Sequence, residues 1–436
     1  MRNRRDFLKW TGLAGFSMAA RPAQELTVFP QITQTNQTSP HPSAAGAPGY
    51  SGVTGVADLS VIGQYGPWAA GLIGGKLPAL SYRRDEFNDI GTWRTRARTV
   101  LEQRMSIPDI GGMPAVTVQR AFEYDGLLIE ELSWALPYGR PTDAILLKPK
   151  GATGRLPALL AFHDHGGNKY FGARKITRTA DHQHPLLDDH QRQYYESLAW
   201  ANEIAKRGYV VLVPDAFPFA SRRVMLQDVP AEMRKGLTDE DPENPQHIAA
   251  YNAWAGDHES IMAKSLFCAG TTWPGVFFAE DRKALDILCA RPDVDPTRVG
   301  CGGLSGGGMR SVFMAGLDAR IRCTVVVGFM TTWKDFLLNK SIHHTWMVYV
   351  PLLPNELDFP EILGLHAPAA ALVLNDTEDD LYTLPEMHAA DQELRTIYQK
   401  AGNPERYQCS FCPGPHKFDR AMQQEAFDWF DKWLKS

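Results

Sequence analysis

The sequence predicts an α/β fold, with a mostly parallel central sheet flanked by helices and an antiparallel hairpin in front of it. Three observations predict this. From residue 156 onward, short and nearly continuous apolar runs alternate with segments of helical period, the pattern of buried parallel strands with covered faces. Ahead of them, two strand-like segments, 116–124 and 127–136, meet at Asp125-Gly126, a strong hairpin signal. The chain has 436 residues, 44% of them hydrophobic, which is ample for a large core.

The N-terminal residues carry a different message. Asn3-Arg4-Arg5-Asp6-Phe7-Leu8-Lys9 closely matches a twin-arginine export motif, and a short apolar stretch, 10–20, follows. A membrane span takes about 20 apolar residues, so this stretch is too short to predict a stable one. The motif is an address read by the twin-arginine export machinery. It predicts a periplasmic or extracellular protein that folds before crossing, tethered if the signal is not cleaved. Residues 1–23 are therefore assigned to the signal, with cleavage near Ala20 or Ala23. Residues 24–55, rich in Pro, Thr, Gln, Ser, Ala and Gly, have the composition of a disordered linker.

Residues 56–115 are expected to form an N-terminal helical extension, with a helix over 85–105 that uses Trp93, Val100 and Leu101 as apolar positions. The catalytic domain is placed at 116–436. After the hairpin, 143–147 reads as a third strand and 156–162 as the first parallel one. Helices are expected at 195–206, 278–290, 306–317 and 386–401. Strands are expected at 209–214, 298–304, 323–329, 369–374 and 406–411. A closing helix over 418–434 repeats Met422, Ala426, Phe430, Trp433 and Leu434 at helical spacing. Two insertions, about 168–193 and 217–273, interrupt the alternation. Stretches this long are uncommon in compact domains unless functional, so they are read as walls or a lid over a site.

The net charge of −5, with both signs interspersed, argues against nucleic acid as a partner. There are six cysteines, several in apolar runs where a thiol packs as a small hydrophobe. Cys409 and Cys412 have CxxC spacing, but no second pair accompanies them, so a zinc site is not expected. No disulfide pairing is assigned.

The chemistry centres on Gly303-Leu304-Ser305-Gly306-Gly307. A serine hydroxyl is a weak nucleophile and must be held where a base can reach it. A sharp strand-to-helix turn does so, and glycines on both sides relieve its crowding. The apolar strand leading in and the helix-capable segment leading out supply that context, which a Gly-rich turn with a chance serine would lack. His416, in Pro413-Gly414-Pro415-His416 between the last strand and the last helix, is the candidate base. The acid is expected in the loop after the preceding strand, where Asp376, Glu378, Asp379 and Asp380 are all available.

An oxyanion needs two backbone N–H donors. Gly306, following the nucleophile, supplies one. The second is expected from His163-Asp164-His165-Gly166-Gly167 after the first parallel strand, with Gly167 favoured and Gly166 second. His163 and His165 could instead begin a metal-binding motif, but Gly167 and Asn168 stand where an Asp and a His would be needed. No metal or other cofactor is expected. His165, Trp273 and Arg310 are candidates for substrate contact, and Trp333 and Trp346 could stack on sugars. Packing is the alternative role for each tryptophan, and a structural salt bridge for Arg310.

These segments together, from about residue 116 to 436, resemble the dienelactone-hydrolase and acetyl-xylan-esterase-like branch of the α/β-hydrolases. The resemblance is carried by 157–167, ending His163-Asp164-His165-Gly166-Gly167, by Asp215 to Arg222, by 294–299, and by the Ser305 turn. Asp358-Phe359-Pro360, Ala367-Pro368 and the segment from Asp376 to Tyr382 extend it. It implies the α/β-hydrolase fold and a triad in the order Ser305, Asp, His416. In such proteins the acid loop resembles Gly-x-x-Asp-x-Leu-Tyr. Aligning Leu381 and Tyr382 puts Asp379 at the acid and Asp376 at the missing glycine, which keeps Asp376 in contention.

The expected activity is hydrolysis of carboxylic esters through an acyl-enzyme, on a small-molecule or carbohydrate ester. The alternatives are a serine peptidase of the same fold, a dienelactone-type lactone hydrolase, or a non-catalytic binding module. The chain has no room for a propeller ahead of the hydrolase domain, which argues against the oligopeptidase type.

Overall fold

The computed structural model describes residues 59–239 and 243–435. The expected signal segment and linker lie outside them. Among the described residues nine strands form one sheet in the order β1-β2-β3-β5-β4-β6-β7-β8-β9. They are β1 (Val116–Tyr124), β2 (Leu127–Trp134), β3 (Thr142–Pro149), β4 (Leu156–Phe162), β5 (Val210–Pro214), β6 (Val294–Leu304), β7 (Ile321–Val327), β8 (Ala370–Asp376) and β9 (Tyr407–Cys412). The first three are antiparallel, and β3 joins β5 antiparallel. From β5 through β9 all neighbours are parallel.

The hairpin forms as its sequence dictates. Tyr124 pairs with Leu127, and Asp125 and Gly126 both take positive φ, 51° and 77°. Two central residues with positive φ match the twist of the flanking strands, and Asp-Gly adopts them readily. Strand β1 is an edge, largely exposed, and carries Arg120 ion-paired to Glu131 on β2. A charged edge resists pairing with another chain.

The inner strands are buried on both faces. In β4, Ala158, Leu160 and Phe162 face one core, while Leu159 and Ala161 face the other. Their period of two is that of a pleated strand. The first core lies under α2 (Ile90–Met105), α7 (Trp273–Cys289), α8 (Gly306–Leu317), α10 (Phe359–Gly364) and α11 (Leu384–Lys400). The second lies under α4 (Trp200–Lys206) and α12 (Arg420–Leu434). A short α1 (Gly66–Ile73) precedes these, and α9 (Trp333–Asp335) runs on as a π-turn to Lys340.

Three helices differ from their sequence expectation for visible reasons. Helix α7 starts at Trp273 rather than 278, because the Thr272 hydroxyl caps it by accepting from the Gly275 N–H at 3.1 Å and Pro274 suits a first turn. The helix expected over 195–206 starts only at Trp200, as α4, because Glu196 and Ser197 take positive φ and end the preceding helix α3 (Pro185–Tyr195). Helix α2 starts only at Ile90, after Asp89 accepts from the Thr92 N–H.

The insertions carry structure of their own. The first holds most of α3, and the second holds α5 (Pro245–Asp257) and α6 (Glu259–Cys268). They share a small core of Tyr170, Phe171, Leu187, Leu226, Ile248, Tyr251, Trp254 and Ala255. Each insertion thus covers apolar surface the other could not bury alone.

Leu160 is fully buried and paired between Leu212 and Cys301. Replacing it by alanine leaves a cavity in a strand buried on both faces. Leu160→Ala is expected to cost about 2–5 kcal/mol, read as a lower midpoint in urea unfolding.

Candidate active site

Strand β6 ends at Leu304 and α8 begins at Gly306, so Ser305 is the whole connection. It takes φ 59° and ψ −120°, a strained conformation for a residue with a Cβ. The strain is held by the Ser305 N–H donating to the Val327 carbonyl at 2.8 Å and by the Met309 N–H donating to the Ser305 carbonyl at 2.9 Å. The glycines around it are a packing requirement. A Cβ on Gly303 or on Gly307 would lie 2.3 Å from the Phe162 carbonyl oxygen at the end of β4. No other residue fits there without moving the sheet.

His416 follows β9 and its ring lies over Gly328, the residue after β7. A Cβ on Gly328 would meet His416 Cε1 at 2.8 Å. Because Val327 holds the Ser305 N–H and the His416 ring lies over the next residue, Gly328, both side chains belong to the same end of β7. Gly328 is a site residue the sequence reading did not find; a lone glycine after a strand gives no signal that a ring will sit on it.

Among the four acids, Asp379 is the one joined to His416. The His416 Nδ1–H donates to Asp379 Oδ2 at 2.6 Å. Asp379 is buried, and its Oδ1 accepts the Leu381 N–H at 2.9 Å. With the proton on Nδ1, the other ring nitrogen is left as an acceptor. Nε2 is buried and has no hydrogen-bond partner among the described residues. Glu378 and Asp380 are exposed.

Asp376 takes a different part. Its Oδ2 accepts the Lys417 N–H at 3.1 Å, next to His416, and its Oδ1 is buried without a partner. Burial pushes its carboxyl up to about 7. Donor atoms of Asp376, Asp379 and His416 lie within 4.8 Å of one another. The acid and histidine loops are also stapled together, Thr377 N–H to the Cys412 carbonyl at 2.8 Å and Glu378 N–H to the Gly414 carbonyl at 3.0 Å.

The loop after β4 departs from expectation. The Gly167 N–H donates to His165 Nδ1 at 3.0 Å, so it is not free to face an oxyanion. The backbone beside Gly306 is instead that of His165, whose N atom would lie 3.1 Å from a Cβ there. Neither the His165 nor the Gly306 N–H has a backbone or side-chain partner among the described hydrogen bonds. The loop is held from beneath by Lys175, fully buried, which donates to the carbonyls of Asp164 at 2.8 Å and His165 at 2.9 Å. Burial lowers that ammonium to about 8. The His165 ring donates from Nε2 to Glu259 Oε1 on α6 at 2.7 Å. Burial, with Lys169 nearby, lowers the imidazole pKa, and the neutral ring keeps one donor and one acceptor nitrogen.

Two candidates for substrate contact are packed away. Trp273 is 2% exposed and lies against Phe217. Arg310 is 3% exposed and makes a two-pronged ion pair with Asp281 at 2.9 and 2.5 Å, over the Phe162 ring. Its charge is neutralised inside the protein, which is the structural role. Trp333 is buried as well, its Nε1–H donating to the Leu357 carbonyl. Trp346 alone of the three tryptophans is open, at 42% exposure.

No protein-family model matches the chain. YtaP of Bacillus subtilis (strain 168), provisionally named a hydrolase, is 25% identical over 321 residues, 73% of this chain and 93% of YtaP. A Bacteroides fragilis protein provisionally described as an acetyl xylan esterase superposes with a TM-score of 0.57 at 16% identity, covering 79% of this chain and 81% of that one. A glucuronoyl esterase from Solibacter usitatus gives 0.54 at 14% identity, covering 82% of this chain and 98% of that one. The chain has the α/β-hydrolase fold, as its parallel sheet behind an antiparallel hairpin also requires.

Asp376 makes stability depend on pH with a definite sign. A carboxyl whose folded pKa lies above its unfolded value of about 3.9 favours folding below that value. It loses the contribution as pH rises toward 7. Asparagine has no such ionisation. The melting temperature of Asp376→Asn relative to the parent is expected to rise between pH 4 and pH 7 and then level off. A difference that stays flat across that range would contradict the burial argument.

Proposed function

We propose that this protein is an exported serine hydrolase that cleaves carboxylic esters, with carbohydrate esters as its substrate class. Ser305 is the nucleophile, His416 the base and Asp379 the acid. The observation that carries the reading is the pairing of His416 Nδ1 with Asp379 at 2.6 Å, which leaves Nε2 an unpartnered acceptor beside the strained Ser305 turn.

In the proposed reaction His416 Nε2 takes the Ser305 Oγ proton as Oγ bonds to the ester carbonyl carbon. The resulting oxyanion is held by the backbone N–H groups of Gly306 and His165. Collapse breaks the C–O bond to the alcohol, which leaves with the proton from His416. Water then attacks the acyl-enzyme, giving its proton to His416; the bond from the acyl carbon to Oγ breaks, the acid leaves, and His416 returns the proton to Ser305 Oγ. Asp379 holds the imidazole in the productive tautomer and stabilises its charged form. Asp376 orients the same loop through the Lys417 N–H.

The substrate class rests on fold likeness to the acetyl xylan and glucuronoyl esterases and on Trp346, whose exposed ring offers a surface for a sugar. Export rests on the twin-arginine motif at Arg4-Arg5. Among the described residues no helix is long and apolar enough to cross a membrane.

Ser305→Ala is expected to lower turnover of p-nitrophenyl acetate by at least about 10⁴-fold with an unchanged circular dichroism spectrum. Full activity would exclude the mechanism. A panel of acetylated xylan, glucuronate methyl esters, lactones and peptides then sorts esterase from lactonase and peptidase; cleavage of peptides alone would overturn the ester reading.

Asp379→Asn should cost about 10³–10⁴-fold in kcat, as loss of a triad carboxylate does, and Asp376→Asn much less. The reverse order in steady-state kinetics would exchange their roles.

A further inference from the structure

Glu259, the first residue of α6 in the second insertion, is buried at 7% exposure and has no part in the proton transfers above. Its carboxylate nevertheless collects donors from two separate segments. Oε1 accepts from His165 Nε2 at 2.7 Å and from Lys169 Nζ at 2.5 Å, both in the loop after β4. Oε2 accepts from the Thr345 hydroxyl at 2.6 Å and from the Trp346 N–H at 3.1 Å. A carboxylate has about four acceptor sites, and all are used. Burial opposes its charge, but the His165 hydrogen bond and the Lys169 ammonium outweigh that and hold it well below the usual carboxylate range.

The consequence for His165 is geometric. Its ring is clamped at both nitrogens, Nδ1 by the Gly167 N–H at 3.0 Å and Nε2 by Glu259. Its carbonyl is held by Lys175 at 2.9 Å. What remains free is its backbone N–H, against Gly306. An oxyanion donor is effective only when fixed before the charge develops.

We propose that Glu259 is a positioning residue, which ties the second insertion to the loop after β4 and thereby fixes the His165 N–H as the second oxyanion donor. The proposal rests on the serine-ester reading given above. Glu259 also anchors Trp346, the exposed ring on the far side of the same carboxylate. The surface offered to the substrate and the donor for the oxyanion thus share one buried charge.

The test uses the full protein, with active sites counted by a fluorophosphonate probe so that misfolded molecules drop out. Glu259→Ala should lower kcat per titrated site by about 100-fold, the scale of losing one oxyanion donor, with KM for p-nitrophenyl acetate changed less than about threefold. Affinity for a phenylboronic acid, which forms a tetrahedral anion on the serine, should fall in parallel. Glu259→Gln keeps one acceptor for His165 and should recover at least about tenfold of the loss. Should Glu259→Ala not fold, His165→Ala removes the clamped ring but keeps the backbone N–H. It should lose about as much as an oxyanion donor is worth, and combining it with Glu259→Gln should cost nothing further, as for two members of one unit.

An unchanged kcat per titrated site would overturn the proposal, as would a kcat loss without loss of boronic acid affinity, or additive effects of the two substitutions. These failures leave Ser305-dependent ester hydrolysis by the parent intact. Absence of that activity in the parent would instead remove the serine-ester reading itself.

Discussion

The carbonyl oxygen of Phe162, at the end of β4, faces the Ser305 turn so closely that neither Gly303 nor Gly307 has space for a Cβ. This one approach sets the rest of the site. It draws β6 against β4 at the point where the sheet hands over to α8, and it forces the connection into a single residue. That residue takes a conformation that costs of order 1–3 kcal/mol. The cost is sustained because the surrounding strands are buried on both faces and the backbone of Ser305 is bonded to Val327. The same approach delivers the loop after β4 to Gly306, so a displaced Phe162 would move the candidate nucleophile and the candidate oxyanion donor together.

Opposite this turn, two aspartates three residues apart divide the work by environment alone. Asp379 is joined to the imidazole and to the Leu381 N–H, so each of its oxygens has a donor. Asp376 has one oxygen on a backbone N–H and the other on nothing, and burial then favours its neutral form. A second negative charge this close to Asp379 would be repelled, so a neutral Asp376 suits the pair. Its backbone bond still helps hold the histidine loop. Two acids that look interchangeable along the chain are thus chemically distinct in space.

The insertions contribute more than a covering. Their shared core orders them independently of the sheet, and Glu259 brings that order to the loop after β4. In the proposed reaction the second insertion steadies the backbone that stabilises the oxyanion. Buried charges are costly unless every lone pair and proton is matched, and here the matching partners come from the loop after β4 and from the segment before Trp346. In that reaction, substitutions in the second insertion would reach the chemistry through His165.

The sequence by itself determined the strand and helix alternation, the Asp125-Gly126 hairpin and the glycine-flanked Ser305 turn. These follow from local rules: apolar period, turn conformation and the crowding of a strand-to-helix corner. It also narrowed the acid to four carboxylates, with Asp379 preferred by family resemblance. Only the tertiary structure decided that Asp379 and not Asp376 meets His416, since both precede the same histidine loop and differ in which way the chain turns. Only the tertiary structure put His165 rather than Gly167 beside Gly306, because a side-chain acceptor two residues back captured the Gly167 N–H. Trp273 and Arg310 had composition suited to a ligand but were claimed by the core and by Asp281. Glu259 had no signal at all, because its separation of 94 residues from His165 is bridged by folding and not by any pattern along the chain.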